Sequence, residues 1–323
     1  MKYSADSYIS VVALVRDCAP RVEGFIRETV AVLESRYTNY ELVLMEDGSQ
    51  DDSLLRCRTA VSRFESLRVI QFSRNYGDEA AYHAGLDTAI GDVVVLLSAK
   101  EDSPDAIPFM VDACRRGSGV AVVVDTGGVP QSWMRRNASA AFHWYLHRRL
   151  RVAYVPGSHY CWSFSRTAVN AFLSRPRIPR LLRFNAAQLG MVPVPVVLSG
   201  TARPQLPRQR VLINDLVAGL SVIIACSLAP FRMACVAGLL AALVLFGGIA
   251  VIGPALPHAL GVLAVCTGLT LALGFVALLF LGEHTARHMA ELSGRKDYIV
   301  VAEYSSNTSI RDLSRRNIVA APL

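Results

Sequence analysis

The sequence predicts an α/β domain built on a mostly parallel sheet, followed by a membrane-interfacial segment and a hairpin of two membrane-spanning helices. Three observations carry this. Short β-branched apolar runs alternate with helix-period segments from Ile9 to Leu97, turn-forming residues close each run, and the most apolar sequence is concentrated after residue 211. Alternation of strand and helix implies right-handed crossovers and a mostly parallel sheet with helices on both faces.

The first strand is Ile9 to Val15, and the helix after it, Val22 to Arg36, places Phe25, Ile26, Val30 and Leu33 on one stripe. A strand from Glu41 to Met45 follows, then a helix from Ser53 to Phe64, a strand from Leu67 to Phe72 and a helix from Gly77 to Ile90. Val93 to Leu97 is a valine-rich run bounded by turn residues, the pattern of a strand buried on both faces. Val15, Glu46, Ser73 and Ser98 therefore end strands at one edge. Ligands of open α/β sheets bind beyond the carboxyl ends of the strands, so residues 98–102 are expected to face a bound substrate. Asp47 stands at such an end and is expected to accept a hydrogen bond from a base or ribose. Ser49 to Asp52 are expected to cap the next helix. Gly48, Asn75 and Lys100 complete the candidate nucleotide contacts.

The 323 residues are 52% hydrophobic, too apolar for an ordinary soluble enzyme. Ala234 to Ile252 and Ala259 to Gly282 contain no charged residue, and each reaches the roughly 20 residues that span a bilayer core. Gly253 to His258 joins them. Arg232 precedes the first run and Arg287, Arg295 and Lys296 follow the second, which places both termini in the cytoplasm and, in a bacterium, the hairpin in the inner membrane. Met1 to Asp6 has no apolar signal segment, in keeping with a cytoplasmic soluble domain. The expected organisation is a soluble domain over 1–210, an interfacial amphipathic segment over 211–231, the hairpin over 232–282, and a cytoplasmic helix, short strand and tail over 283–323.

Seven cysteines without paired metal-type spacing read as reduced small hydrophobes. The net charge of +7 comes with a crowd of arginines just before the apolar region, Arg135, Arg136, Arg148, Arg149 and Arg151 among them. An anionic membrane surface or a lipid phosphate accounts for that placement better than nucleic acid does.

Glu46-Asp47-Gly48-Ser49, Ser73-Arg74-Asn75-Tyr76-Gly77, Ala84-Gly85-Leu86-Asp87 and Gly91-Asp92 resemble, in order and spacing, a family 2 glycosyltransferase of the polyprenyl-phosphate type. Leu281-Gly282-Glu283, Arg287, Glu291, Gly294-Arg295 and Tyr298-Ile299-Val300 fit the tail of the same family. It includes dolichol-phosphate mannose synthases and bacterial undecaprenyl-phosphate glycosyltransferases. The resemblance implies a GT-A nucleotide-sugar domain, a nucleotide-sugar donor, a polyprenyl-phosphate acceptor, Mg²⁺ or Mn²⁺ on the departing nucleoside diphosphate, and self-association. It also implies phosphate contacts from Arg135 and Arg136, which follow Ser132-Trp133.

At the chemical positions the chain departs from the family. Its Asp-X-Asp falls on Ser98-Ala99-Lys100, its acceptor-side Gly-Asp segment falls on His159-Tyr160-Cys161, and its first-strand loop reads Arg16-Asp17-Cys18-Ala19 without the glutamates. An ammonium at Lys100 repels a hard divalent cation, which wants carboxylate oxygens. Three readings follow. The protein is a pseudoenzyme serving a membrane glycosyltransferase, flippase or polymerase; or an atypical transferase in which Glu101 and Asp102 hold a displaced metal or Lys100 itself neutralises the diphosphate; or a lipid-phosphate binding module.

Overall fold

In the computed structural model the described residues are 7–124, 158–174, 190–197 and 298–306, helical residues between 267 and 282, and isolated positions elsewhere. Two compact units divide the chain. One comprises residues 1–147, 151–208 and 296–323; the other comprises 148–150 and 209–295.

The first unit runs β1 (Tyr8–Val15), α1 (Ala19–Arg36), β2 (Asn39–Glu46), α2 (Ser53–Val61), β3 (Leu67–Phe72), α3 (Asp78–Thr88), β4 (Val93–Ser98), α4 (Ala106–Arg116), β5 (Val120–Val124), β6 (Ser158–Ser165), α5 (Arg166–Leu173), β7 (Val194–Val197) and β8 (Val300–Ser305). These strands form one sheet in the order β7-β5-β6-β4-β1-β2-β3-β8. β4, β1, β2 and β3 are mutually parallel, so their carboxyl ends share an edge. The four strands and three crossover helices read from the sequence are all present, α2 stopping at Val61 rather than Phe64. β6 and β8 enter antiparallel, between β4 and β5 and against β3.

Strand periodicity sorts the core. Val11, Ala13 and Val15 join Leu42, Leu44, Val95 and Leu97 beneath Phe25, Ile26 and Leu33 of α1 and Met110 of α4. Val12, Leu14, Val43, Met45, Val94 and Leu96 face the other way, onto Ala81 and Leu86 of α3 and Val169 and Phe172 of α5. Successive side chains of a strand point to opposite faces, which is why continuous apolar runs fill both layers. Cys18, Cys57, Cys114 and Cys161 are buried, as small hydrophobes.

Two polar devices tie the sheet down away from its carboxyl edge. Glu41, 2% exposed, accepts from Ser10 Oγ at 2.5 Å, from the Ile90 amide at 2.8 Å and from Arg68 at 3.3 Å. Arg68 also holds Glu303 of β8 at 2.7 Å, so one guanidinium serves three strands. Arg166 donates to the carbonyls of Ala89 and Gly91 and fixes the turn that launches β4.

The second unit supplies helical residues at 267–271 and 273–282. Among the described residues no helix is long and apolar enough to cross a membrane. The expected span 234–252 lies outside the described residues except for positions 236, 238 and 240, and 259–282 is described only from 267. Within 267–282, Leu269, Leu271, Phe275, Leu278 and Leu279 are all more than half exposed.

Gly85 is where α3 presses closest on the sheet, because a Cβ there would fall on Cγ1 of Val12. Gly85→Ala is expected to destabilise the first unit by about 1–3 kcal/mol through overpacking, read as a lower urea midpoint in micelles.

Candidate functional site

The site candidates meet at the carboxyl edge because the register puts them there. Val15 pairs with Glu46 and Leu14 with Ser98. The amide of Asp47 donates to Val15 O at 3.1 Å and the amide of Ala99 to Leu14 O at 2.9 Å, so the loops leaving β2 and β4 flank the end of β1.

Asp47 has no solvent-exposed surface. Its Oδ1 accepts from the Tyr76 amide at 2.7 Å. Its Oδ2 accepts from the Gly77 amide at 3.1 Å and from Arg16 at 3.1 Å. The other arm of the Arg16 guanidinium reaches Asp78 at 2.7 Å. Burial pushes the Asp47 carboxyl above the ordinary carboxylate value, and the two amides and Arg16 pull against that rise. For Arg16 burial disfavours the charge, but the carboxylates of Asp78 and Asp47 outweigh it and raise the guanidinium above its ordinary value. The donors that meet Asp47 thus come from this chain.

Gly48 makes that closure sterically feasible. Its φ is +63°, and a Cβ would stand 2.5 Å from the Arg74 carbonyl carbon and the Asn75 nitrogen. The glycine is there because the loop between β3 and α3 lies against it, and only a residue without Cβ tolerates both the approach and the left-handed backbone. Asn75 is exposed on the outer side of the same loop.

Ser49 to Asp52 meet the capping expectation in part. Asp52 takes the cap position of α2 but makes no side-chain cap bond, while Asp51 Oδ1 accepts from the amide of Ser53, the first residue of α2, at 3.0 Å. The neighbouring side chains also reach sideways: Asp51 Oδ2 accepts from the Ala19 amide at the first residue of α1, and Ser53 Oγ accepts from the Cys18 amide, both at 2.9 Å. Ser49 Oγ accepts from the Asp17 amide at 3.2 Å, while Asp17 returns a carboxylate to the Gln50 amide at 2.9 Å. The loops after β1 and β2 are stitched together, and the N-terminus of α1 is capped from the next strand's loop.

The β4 end folds on itself. Asp102, 4% exposed, accepts from the Ser98 amide at 2.8 Å and donates its own amide to Ser98 O at 2.9 Å. The Glu101 amide approaches Ser98 Oγ at 3.3 Å. Arg21 from α1 donates to the carbonyls of Lys100 and Asp102 at 2.9 and 2.7 Å, leaving the exposed Lys100 side chain at the edge. This donor set does not fit Mg²⁺ or Mn²⁺. One Asp102 oxygen is bound by the chain's own amide, the Arg21 guanidinium lies on the Lys100 and Asp102 carbonyls, and no group of three His, Cys, Asp or Glu is placed to hold a metal among the described residues. Glu101 and Asp102 are brought to the predicted edge, but not as an open pair of ligands.

Arg135 and Arg136 lie outside the described residues. Tyr160 belongs to β6, but its side chain lies outside the described residues. Two functional features escape motif reading: Arg16 as the partner of Asp47, and the Tyr76 and Gly77 amides that share the carboxylate. Register is the signal for the first, since a residue just beyond Val15 must adjoin one just beyond Glu46 when β1 and β2 are parallel.

With this geometry in place, a family profile described as Glycosyl transferase family 2 matches residues 10–172, half of the chain. The undecaprenyl-phosphate 4-deoxy-4-formamido-L-arabinose transferase of Pseudomonas syringae pv. syringae is 31% identical over 176 residues, 54% of this chain and 52% of that protein. The transferase of the same name from Sodalis glossinidius is 28% identical over 319 residues, 93% of this chain and 94% of that protein. The chain thus spans about half the length of the first of these relatives and nearly all of the second. Among solved structures, glucosyl-3-phosphoglycerate synthase from Mycobacterium tuberculosis, crystallised with Mn²⁺, UDP and glucosyl-3-phosphoglycerate, is 19% identical over 69% of this chain and 81% of that one, with a TM-score of 0.44. A likeness that shallow bears on neither substrate nor mechanism.

Arg16 touches two carboxylates of unequal burial, and its removal leaves the buried one with its two amide donors but no cation. Arg16→Ala is expected to cost about 1–3 kcal/mol, because a buried carboxylate loses one of its three partners. Asp78→Asn, which removes only the more exposed half of the bridge, is expected to cost no more than about 1 kcal/mol. Urea unfolding of the two variants side by side checks the difference.

Proposed function

The chain belongs to glycosyl transferase family 2, and from that premise we propose that it is a membrane-anchored protein of polyprenyl-phosphate sugar metabolism that has kept the fold while giving up metal-dependent turnover. In this reading it serves as partner or scaffold for an active membrane glycosyltransferase, flippase or polymerase. The observation that carries it is the state of Asp47: a strand-end carboxylate with no exposed surface, its oxygens met by Tyr76, Gly77 and Arg16 of the same chain. A base or ribose has to displace the guanidinium to reach it, and that displacement leaves Arg16 facing Asp78 alone.

Lys100 supports the same conclusion from a second strand. Transfer from a nucleotide sugar requires the departing diphosphate to be neutralised, and a divalent cation held by carboxylates supplies that charge. At the end of β4 the chain offers a serine hydroxyl, a buried alanine and an ammonium instead. A single exposed positive side chain stabilises a diphosphate far less than a dehydrated divalent ion does. The exposed position of Lys100 is also the one feature that favours the alternative, metal-free transfer with the ammonium as counter-ion.

Support for the anchor is the uncharged character of Ala234–Ile252 and Ala259–Gly282, together with apolar side chains left uncovered on the helical residues between 267 and 282. The arginine-rich sequence before them suits an anionic surface or a lipid phosphate, with Arg135 and Arg136 as the candidate phosphate contacts.

Calorimetric titration of the purified full chain with UDP and GDP, with and without Mn²⁺, is expected to give no metal-dependent heat. Tight binding that requires Mn²⁺ sinks the pseudoenzyme reading, while binding of equal strength in EDTA transfers the weight to metal-free catalysis. The partner role has its own check. A second membrane protein is expected to co-purify with the chain and to be lost when residues 232–282 are replaced by an unrelated apolar hairpin; no such partner in either preparation argues against it.

A further inference from the structure

β8 reaches the sheet from the far side of the apolar region, and its entry point is unusual. It runs antiparallel to β3 with Phe72 opposite Val300, so the strand begins at the edge where β1, β2, β3 and β4 end. Just there, three consecutive apolar residues are exposed: Ile299 by 62%, Val300 by 44% and Val301 by 59%. In a paired strand successive side chains alternate between faces, so one of any two neighbours is ordinarily covered. Here β8 is the last strand of the sheet, and its register with β3 shifts between Gln71 and Phe72, leaving both faces bare. A bare apolar run on an edge strand is an aggregation hazard unless something covers it.

The triplet is held rigidly. Tyr298, 6% exposed, stacks on Phe72 with ring centroids 5.2 Å apart, and Ile299 O accepts from the Ser73 amide at 3.0 Å. Its flanks suit one kind of occupant. Arg295 and Lys296 come just before it, and the only acidic side chain within β8, Glu303, is neutralised by Arg68. The same Glu303, exposed on the edge, opposes antiparallel pairing of β8 with a second copy of itself. Residues 283–298 are all that separate the triplet in sequence from the helical residues 273–282, where Leu278 and Leu279 are 62% and 72% exposed.

We infer that Ile299, Val300 and Val301 are a membrane-docking point: they insert into the interfacial layer of an anionic bilayer and turn the carboxyl edge of the sheet, with Asp47 and Lys100, toward the lipid surface. The inference rests on the membrane-anchored reading above and adds to it the surface that meets the bilayer. Apolar side chains beside basic ones bind this layer through buried area and attraction to anionic headgroups together.

The test uses the full chain on vesicles containing brominated phosphatidylcholine, with and without phosphatidylglycerol. Val301→Trp reports at the triplet, and Phe109→Trp, at an exposed position of α4, serves as the control. Relative to the unsubstituted chain, the added emission of Val301→Trp is expected to be quenched, more strongly with phosphatidylglycerol, while that of Phe109→Trp is spared. Bound protein whose Val301→Trp emission is unquenched overturns the docking point and leaves the anchor intact. Failure of the unsubstituted chain to associate with either vesicle overturns the anchored reading and the docking point with it. Burial of Val301→Trp without lipid, accompanied by dimers in sedimentation, also overturns it, because a second copy is then the occupant.

Discussion

The carboxylate of Asp47 is the interaction on which the architecture of the carboxyl edge depends. It is buried at the end of β2, and its three donors come from two other loops at that edge: Tyr76 and Gly77 from the loop entering α3, Arg16 from the loop leaving β1. A buried charge is tolerated only when its hydrogen-bonding capacity is satisfied. Satisfying it here brings the β3–α3 loop so close to Gly48 that no side chain fits, and ties α3 through Asp78 to the same guanidinium. The atoms that stabilise this edge are thus the ones that occupy both oxygens of Asp47.

Two of the departures, at the ends of β1 and β4, are linked to Asp47 and to the start of α1. Arg16 takes up Asp47; Arg21, a little further along, clasps the carbonyls of Lys100 and Asp102; Asp102 turns back to the Ser98 amide. Ser98 has Asp102 and Lys100 has Arg21 as an immediate neighbour, so the loops after β1 and β4 are braced together.

How far the sequence announces this structure varies by element. β1 to β4 are legible because each is a continuous apolar run between turn residues, and their parallel order follows from the helices between them. β8 is foreseen as a short strand, but not its place: pairing with β3 joins residues more than two hundred positions apart through Arg68 and Glu303, and no local pattern encodes that choice. At the site, the degenerate positions Ser98 and Lys100 are visible from motif spacing alone. The role of Arg16 is not, since an arginine in a loop carries no periodic signal and its meaning comes from the register of Val15 with Glu46. Ser49 to Asp52 are legible only in part: Asp51 caps its own helix as expected, but the same side chain and Ser49 also brace the neighbouring loop, which no local pattern announces.

A double-mutant cycle between Arg16 and Asp47 tests most directly the claim that the strand-end carboxylate is committed to this chain's own guanidinium. Unfolding free energies of Arg16→Ala, Asp47→Asn and the double variant give the coupling between the two side chains. Residues in one buried network are expected to couple by about 1–3 kcal/mol, the double variant costing less than the sum of the singles. Costs that add to within about 0.5 kcal/mol would contradict the account, because Asp47 would then be held without Arg16 and its outer face would remain open to a ligand.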